Sequence, residues 1–458
     1  VLRVVWPNGV PQTIYFPGTD QNVLEEQVLK SSCLFLYAWD GSAFRFVTDV
    51  MWRSALGMPV GIGGGGRAAY APAGASQEYL HIAGARLAPR DGRYTLQVTE
   101  ELWETSYLDQ LRLVAVDHPD SVAVYVDERF VPPAPTALRL YQVARPRAPV
   151  SATDGFGTDL LPAIRARDDV YTGELLPGRF QGVTEPHDLI LDAGPGEPGD
   201  SLLLFLRGWV FPTDASINVA LSQSSATRVV APTLEVRDAQ GRWRVAIPDL
   251  GFPSGKDKTL VVNLTGIFPT ADRRVRIHTN MEIHWDQAFL AGPVSRSPVT
   301  VSTLEPSAAD LHFRGFSRMY RKGGRSGPHW FDYGEVSKQA PWLPIDGLLT
   351  RFGDVLPLLG EADDRYVVMG PGDEATVAFA AGGLPPLPPG WTRDFLIYSV
   401  GWIKDGDFNT ADGGTVDPLP FHGMTAYPYG GRERYPADPS HRRYLETYNT
   451  RKGAGPSR

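Results

Sequence analysis

The chain has 458 residues and a formal net charge of −8. Its 48 Gly and 40 Pro make up about a fifth of all residues, against a usual share of roughly an eighth. With 42% hydrophobic and 21% charged residues the chain is not disordered, and a Gly or Pro about every five residues excludes long helices and coiled coils.

The glycines have no three-residue period, so collagen is excluded as well. What remains is a turn-rich β protein. Domains of roughly 100–200 residues allow two to four of them. The acidic balance argues against nucleic acid or an anionic membrane as the main partner. The tail from Arg432 to Arg458 is a local exception, with four more positive than negative side chains. It reads as a solvated tail or one lying on an acidic neighbour. No run of 18 apolar residues occurs, so no transmembrane helix is expected. Cys33 is the single cysteine. An intrachain disulfide and a Cys-rich zinc site are therefore excluded, and Cys33 reads as a small buried hydrophobe.

The chain opens without Met on the strand-like Val1–Trp6. It reads as the C-terminal part of a longer protein. Residues 1–30 predict two strands around the turn Pro7-Asn8-Gly9, the end of a β domain. Residues 31–147 predict a second β-rich domain. Its hairpin candidate is Cys33–Trp39 and Phe44–Val47 around Asp40-Gly41-Ser42. Residues 57–76 read as a long loop. The run Gly61–Gly66 fits GxGxxG, yet Pro72 follows too soon for the helix that a dinucleotide site needs, so a loop is the reading here too. Strands are expected at Tyr79–Ile82, Tyr94–Thr99, Leu111–Val116 and Val122–Val126. A Pro-rich boundary follows at 131–149, and residues 148–167 read as a linker.

Residues 168–295 predict a β-sandwich of jelly-roll type from seven short strands, among them Ser201–Phe211, Ile217–Leu221 and Val275–Trp285. The last of these alternates with period two, which places Val275, Ile277, Thr279, Met281, Ile283 and Trp285 on one face. His278, Glu282 and His284 then share the opposite, solvent-facing side. His278 and His284 lie too far apart along it to share a metal. Trp209, Trp243 and Trp285 fall in strand patterns and read as core. Residues 296–458 predict a loop-rich region with strands at Tyr366–Met369, Glu374–Phe379 and Phe395–Ile403. Short helices are expected at Asp354–Leu359 and Ser440–Tyr448. The fold class is thus mainly β: tandem β-sandwich (jelly-roll or Ig-like) domains with long Gly/Pro-rich loops and a few short helices. An internal similarity pairs Leu203–Val210 with Leu396–Ile403, and Asp214 with Asp407 after one offset.

Two sets of residues carry candidate chemistry. Asp405, Asp407, Asn409 and Asp412 place oxygen side chains at positions 1, 3, 5 and 8 of a loop, as at the start of a calcium site. The loop lacks Gly at position 6 and Glu at position 12, and an Asx-rich turn is the competing reading. Trp330, Phe331, Tyr333 and Trp342 fall in a Gly/Pro-rich stretch and read as an exposed or loop-covered interface. HExxH, GxSxG and GxxxxGK[ST] are absent. Glycosidase carboxylate pairs leave no such signature, so that class stays open.

The opening VLRVVWPNGVPQT (1–13) resembles the closing strands of the ASPIC/UnbV domain, whose mark is an alternating strand running into Trp-Pro-Ser/Asn-Gly and Gln. The blocks at 35–50, 89–119, 274–287, 393–410 and 417–429 resemble the C-terminal extension of large bacterial proteins that join FG-GAP propellers to that domain. The resemblance implies an exported or cell-surface protein used for adhesion or assembly. It transfers no catalytic residue. The expected function is a non-enzymatic structural or interaction module that contacts other protein subunits, in a homo-oligomer or a surface assembly. A carbohydrate-binding or carbohydrate-active sandwich is the alternative.

Overall fold

Short alternating segments separated by turn formers can bury one face only by stacking sheet on sheet. The computed structural model describes residues 2–5, 11–14, 18–20, 34–62, 67–196, 200–292 and 297–453. Cys33, the turn at 7–9 and residues 63–66 of the glycine run lie outside the described residues. The protein is mainly β, with antiparallel sheets and three short helices among the described residues. No helix among them is long and apolar enough to cross a membrane.

The first sandwich has a six-stranded sheet in the order Gly353–Asp354, Pro306–Phe313, Asp373–Ala380, Arg93–Thr99, Leu34–Trp39, Phe44–Val50. Facing it is a sheet in the order Thr300–Leu304, Glu104–Pro119, Trp391–Asp405, Ser76–Ile82, with Val367–Met369 also paired along Glu104–Pro119. Leu34, Leu36, Leu96 and Val377 from one sheet meet Leu80, Leu111, Leu113 and Ile397 from the other in one core. The expected units 31–147 and 296–458 therefore share the same two sheets, as two blocks in the first and in alternation in the second. Arg93–Thr99 pairs with Asp373–Ala380, and Trp391–Asp405 lies between Glu104–Pro119 and Ser76–Ile82, pairings across the chain that no local signal could reveal.

The second sandwich lies between these two halves in sequence. One sheet runs Ser151–Thr153, Val183–Asp192, Arg274–Met281, Thr233–Arg237, Trp243–Ile247. The other runs Lys258–Asn263, Leu203–Val210, Ile283–Ala291. Leu189, Val275 and Ile277 pack against Leu204, Leu206 and Leu260. The expected linker 148–167 contributes the edge strand Ser151–Thr153 and the helix Leu161–Ile164, whose Ile164 is fully buried in this core.

Several local expectations change. Val275–Trp285 is two strands, because the chain passes at Glu282 from one sheet of the sandwich to the other. His284 consequently is buried, not solvent-facing. Its Nδ1 lies 2.6 Å from the Thr172 carbonyl, and its ring stacks on Trp209. Ile217–Leu221 is part of a helix, Ala215–Ser222, because the Asp214 carboxylate accepts the Ile217 N–H and caps it. The loop at 57–76 holds the hairpin Pro59–Ile62 and Ala68–Tyr70. Trp209 and Trp285 are core, whereas Trp243 is half-buried under the Arg237 and Arg276 guanidinium groups. The expected helix at Ser440–Tyr448 forms as Pro439–Thr447, capped by Asp438.

Buried charges join the two sandwiches. Asp49, at the end of strand Phe44–Val50, pairs with Lys256 at 3.1 Å and Lys258 at 3.4 Å. Lys322, from the hairpin Phe316–Arg321 and His329–Ser337, pairs with Asp257 at 2.9 Å. The Trp209 indole donates to the Ser326 carbonyl at 3.0 Å. Ser216, at the start of helix Ala215–Ser222, donates to the Asp407 carboxylate.

Candidate functional site

Strand pairing builds the candidate site. In the first sandwich Val400 pairs with Gln110 and Gly401 with Leu108, so Asp109 is the extra residue of a bulge. In the second, Arg207 pairs with Gln287 and Gly208 with Trp285, so Asp286 is extra. The aligned segments Leu203–Val210 and Leu396–Ile403 are thus both interior strands with a bulge opposite the same point. The likeness extends further. Asp109 accepts the N–H groups of Asp363 (3.2 Å) and Asp364 (3.4 Å). Asp286 accepts those of Asp168 (3.3 Å) and Asp169 (2.9 Å). Asp364 and Asp169 both take positive φ, 66° and 64°. The sequences around them read Asp-Asp-Arg-Tyr366 and Asp-Asp-Val-Tyr171.

The two places differ in what faces the carboxylates. In the second sandwich Lys322 Nζ lies 2.6 Å from Asp169, and Arg207 lies 4.0 Å from Asp286. In the first, His422 takes that role. Its Nδ1 lies 2.7 Å from Asp364 Oδ1 and 3.7 Å from Asp109 Oδ2. Its ring packs edge-on against Trp402 at 4.7 Å. One ligand atom from each of Asp109, Asp364 and His422 falls within a 4.8 Å cluster, the only group of three or more His, Cys, Asp or Glu so gathered among the described residues.

Asp109 is fully buried while His422 is exposed. Burial pushes the Asp109 carboxyl up to about 7, more than the Asp363 N–H and His422 pull it down. Asp364 goes the other way: burial raises it, and the hydrogen bonds from His422 and Tyr366 outweigh that. Burial lowers His422, but its bond to Asp364 leaves it raised overall. One carboxyl near neutrality beside an imidazole can exchange a proton, and the same three groups can ligate a divalent ion.

The sequence-predicted sites sit elsewhere. Asp405 and Asp407 are buried at the junction of the sandwiches; Asn409 and Asp412 are exposed. Asp407 accepts Ser216 Oγ at 2.8 and 2.7 Å, and Asp405 Oδ1 accepts the Asp407 N–H at 2.9 Å. The last is the bond of an Asx turn, whereas the Ser216 bonds reach across from the other sandwich. Burial, with Asp407, Asp214 and Glu104 nearby, raises Asp405 well above the carboxylate range.

Of the aromatic set, Trp330, Phe331 and Tyr333 are on a strand, while Trp342 lies outside any strand. Trp330 and Phe331 lie on His329–Ser337 and are covered within the chain by Phe35 and Phe46. Trp342 is half-buried and donates to the Glu101 carbonyl at 3.0 Å. Tyr333 is half-buried beneath the Arg314 guanidinium, 4.1 Å from its ring. Trp330, Phe331 and Tyr333 line the inner side of a groove of about 240 Å³, whose other walls include Phe44, Tyr320, Asp40, Asp332 and Arg45.

No family model, no curated protein and no solved structure matches this chain. Sequence reasoning missed Asp109, Asp364 and His422 because they lie on three separate segments. One signal was legible: the paired Asp-Asp-x-Tyr stretches at 168–171 and 363–366, together with Asp-Gln at 109–110 and 286–287.

Proposed function

We propose that the chain is a non-enzymatic interaction module of an exported or cell-surface protein, acting as scaffold or subunit of a larger assembly. The observation that carries this reading is the interlock. One sandwich is inserted between the halves of another, and buried ion pairs tie them at Asp49 and Asp257. Two sandwiches so joined hold their outer faces at fixed positions, as a scaffold contact requires. The strand Trp243–Ile247 ends its sheet, with Val245 exposed, and offers an edge for strand addition. The ASPIC/UnbV resemblance supports export and assembly. Size-exclusion with light scattering and a pull-down from the source organism test the reading. Oligomers or a stoichiometric protein partner are expected; a strict monomer that captures nothing counts against it.

The groove beside Tyr320 favours a second reading, carbohydrate binding. Aromatic faces beside carboxylates and a guanidinium suit a polyhydroxylated ligand, since rings cover its C–H faces while charged groups bond its hydroxyls. A glycan array tests it, and a hit abolished by Tyr320→Ala is the expected result.

Calcium at the Asp405 loop is a separate proposal. Asp405 fits best, since its buried Oδ2 has no hydrogen-bond partner; Asn409 and Asp412 would have to move inward. Calorimetric titration reads it directly: heat lost in Asp405→Asn supports the site, and no heat above blank removes it.

A further inference from the structure

We propose that Asp49 and Lys258 condense into an intramolecular amide, a covalent tie between the two sandwiches, with Glu78 carrying the protons. This goes beyond the scaffold reading and stands whatever the chain binds.

The geometry is that of a dry reaction centre. Asp49, Lys258 and Glu78 are all fully buried. Asp49 ends a strand of the first sandwich, and Lys258 begins a strand of the second. Lys258 Nζ lies 3.4 Å from Asp49 Oδ1 and donates to the Asp49 carbonyl at 2.6 Å. The carboxylate is held from its other sides. Lys256 donates its N–H to Oδ1 at 2.9 Å and its ammonium to Oδ2 at 3.1 Å, and the Thr48 hydroxyl donates to Oδ1 at 3.2 Å. Gly255, at φ 101°, lets the backbone pass so close that any Cβ there would overlap the Asp49 carboxylate. Both reacting groups are therefore fixed within contact, which is where proximity contributes most.

Glu78 completes the set from the strand Ser76–Ile82 of the facing sheet in the first sandwich. Its Oε1 accepts the Met51 N–H. Its Oε2 is buried with no hydrogen-bond partner, and the nearest cation to it is Arg53 Nε at 4.0 Å. Lys258, Arg53 and Asp49 are the charges that act on it. Burial raises its pKa above the usual carboxylate range despite Lys258 and Arg53, so it can both take and give a proton.

The step balances without any co-reactant. Glu78 relays one proton from the Lys258 ammonium to the Asp49 carboxylate, leaving an amine and a carboxylic acid. The amine lone pair attacks Asp49 Cγ and the C–N bond forms. The oxyanion so created faces the Lys256 N–H and ammonium. Glu78 then moves a proton from nitrogen to the hydroxyl, the C–O bond breaks and water leaves. One carboxylate and one ammonium become one amide and one water, and net charge is unchanged. The product removes the buried charges of Asp49 and Lys258, whose desolvation is costly, while the buried Lys256 ammonium exchanges a carboxylate for an amide oxygen.

Intact mass spectrometry of the full chain, with peptide mapping, tests this. The folded protein is expected to be lighter than its sequence by one water. A branched peptide is expected to join the segment holding Asp49 to that holding Lys258. Glu78→Gln keeps the size of the side chain but cannot relay a proton, and is expected to fold and show the full sequence mass. Lys258→Ala is expected to show its full mass as well. A folded wild-type protein at full mass overturns the proposal. So does a water loss that maps to a succinimide at Asp40-Gly41 or Asp91-Gly92, or a branch at Lys256.

Discussion

Asp109 and Asp286 hold equivalent places in the two sandwiches. Each is the extra residue of a bulge beside a glycine of an interior strand, and each accepts backbone N–H groups from an Asp-Asp pair. The second sandwich thus repeats this feature of the first. The repeat is out of order along the chain, because the strand bearing Asp109 precedes its Asp-Asp pair while that bearing Asp286 follows it.

This equivalence predicts a pH dependence. Asp109 is raised to about 7 in the folded protein, against roughly 3.9 when unfolded. Between those values the native state binds the extra proton, so this group's contribution to stability falls as pH rises from about 4 to 7. His422, raised by Asp364, adds stability that is present below about 6.5 and lost as pH rises through its folded value. Both act in the same direction. Urea denaturation of Asp109→Asn and wild type at pH 5 and pH 8 checks it. The variant should lose roughly 2–4 kcal/mol less across that window.

The glycines beside the bulges should be intolerant. A Cβ at Gly401 would overlap the Tyr107 carbonyl and the Met51 sulfur; one at Gly208 would overlap the His284 carbonyl. Since the clashing atoms are backbone in a paired strand, relief needs the sheet to move. Gly401→Ala and Gly208→Ala should each cost at least about 1–3 kcal/mol, read as a lower urea midpoint.

The aromatic residues should separate by role. Trp330 is 6% exposed and packs on Phe46, so Trp330→Ala should cost about 3–5 kcal/mol. Tyr320 is 46% exposed on the groove, so Tyr320→Ala should change stability by less than about 0.5 kcal/mol. Thermal unfolding of the two variants distinguishes core from surface.

The junction at Asp407 should matter too. Its carboxylate accepts Ser216 Oγ from the other sandwich and the Asn409 N–H. Asp407→Ala leaves the buried Ser216 hydroxyl without this acceptor and should cost about 1–3 kcal/mol. Hydrogen exchange should show faster opening of helix Ala215–Ser222, which Asp214 caps beside it.

Much of the local structure was legible. The Asp40-Gly41-Ser42 turn joins two strands as expected, because the Asp40 carboxylate accepts the Ser42 and Ala43 N–H groups. The alternation of Val275 and Ile277 marks a core face for the same reason in sequence and structure. Past Glu282, Ile283 and Trp285 keep to the core as expected, but the opposite side is covered too and His284 is buried. The extra residue Asp286 reverses which side faces inward, so Ala288 and Leu290 enter the core after Ile283 and Trp285. Ile217–Leu221 reads as a strand because its β-branched residues hide the cap at Asp214. Trp330 and Phe331 read as exposed or loop-covered because the Gly and Pro around them mark a loop, while the residues that bury them, Phe35 and Phe46, lie far away in sequence.

By itself the sequence determined the β class, the strand periodicity and the turns, since each depends on side chains a few residues apart. It also carried the likeness of Leu203–Val210 to Leu396–Ile403. Only the tertiary structure decided that residues 34–119 and 300–453 close one sandwich, with the other inserted between them in sequence, and that Asp109 meets His422 and Asp49 meets Lys258. Sheet pairing and buried charge pairing act between segments hundreds of residues apart. Their free energy depends on burial and distance, which periodicity along the chain does not encode.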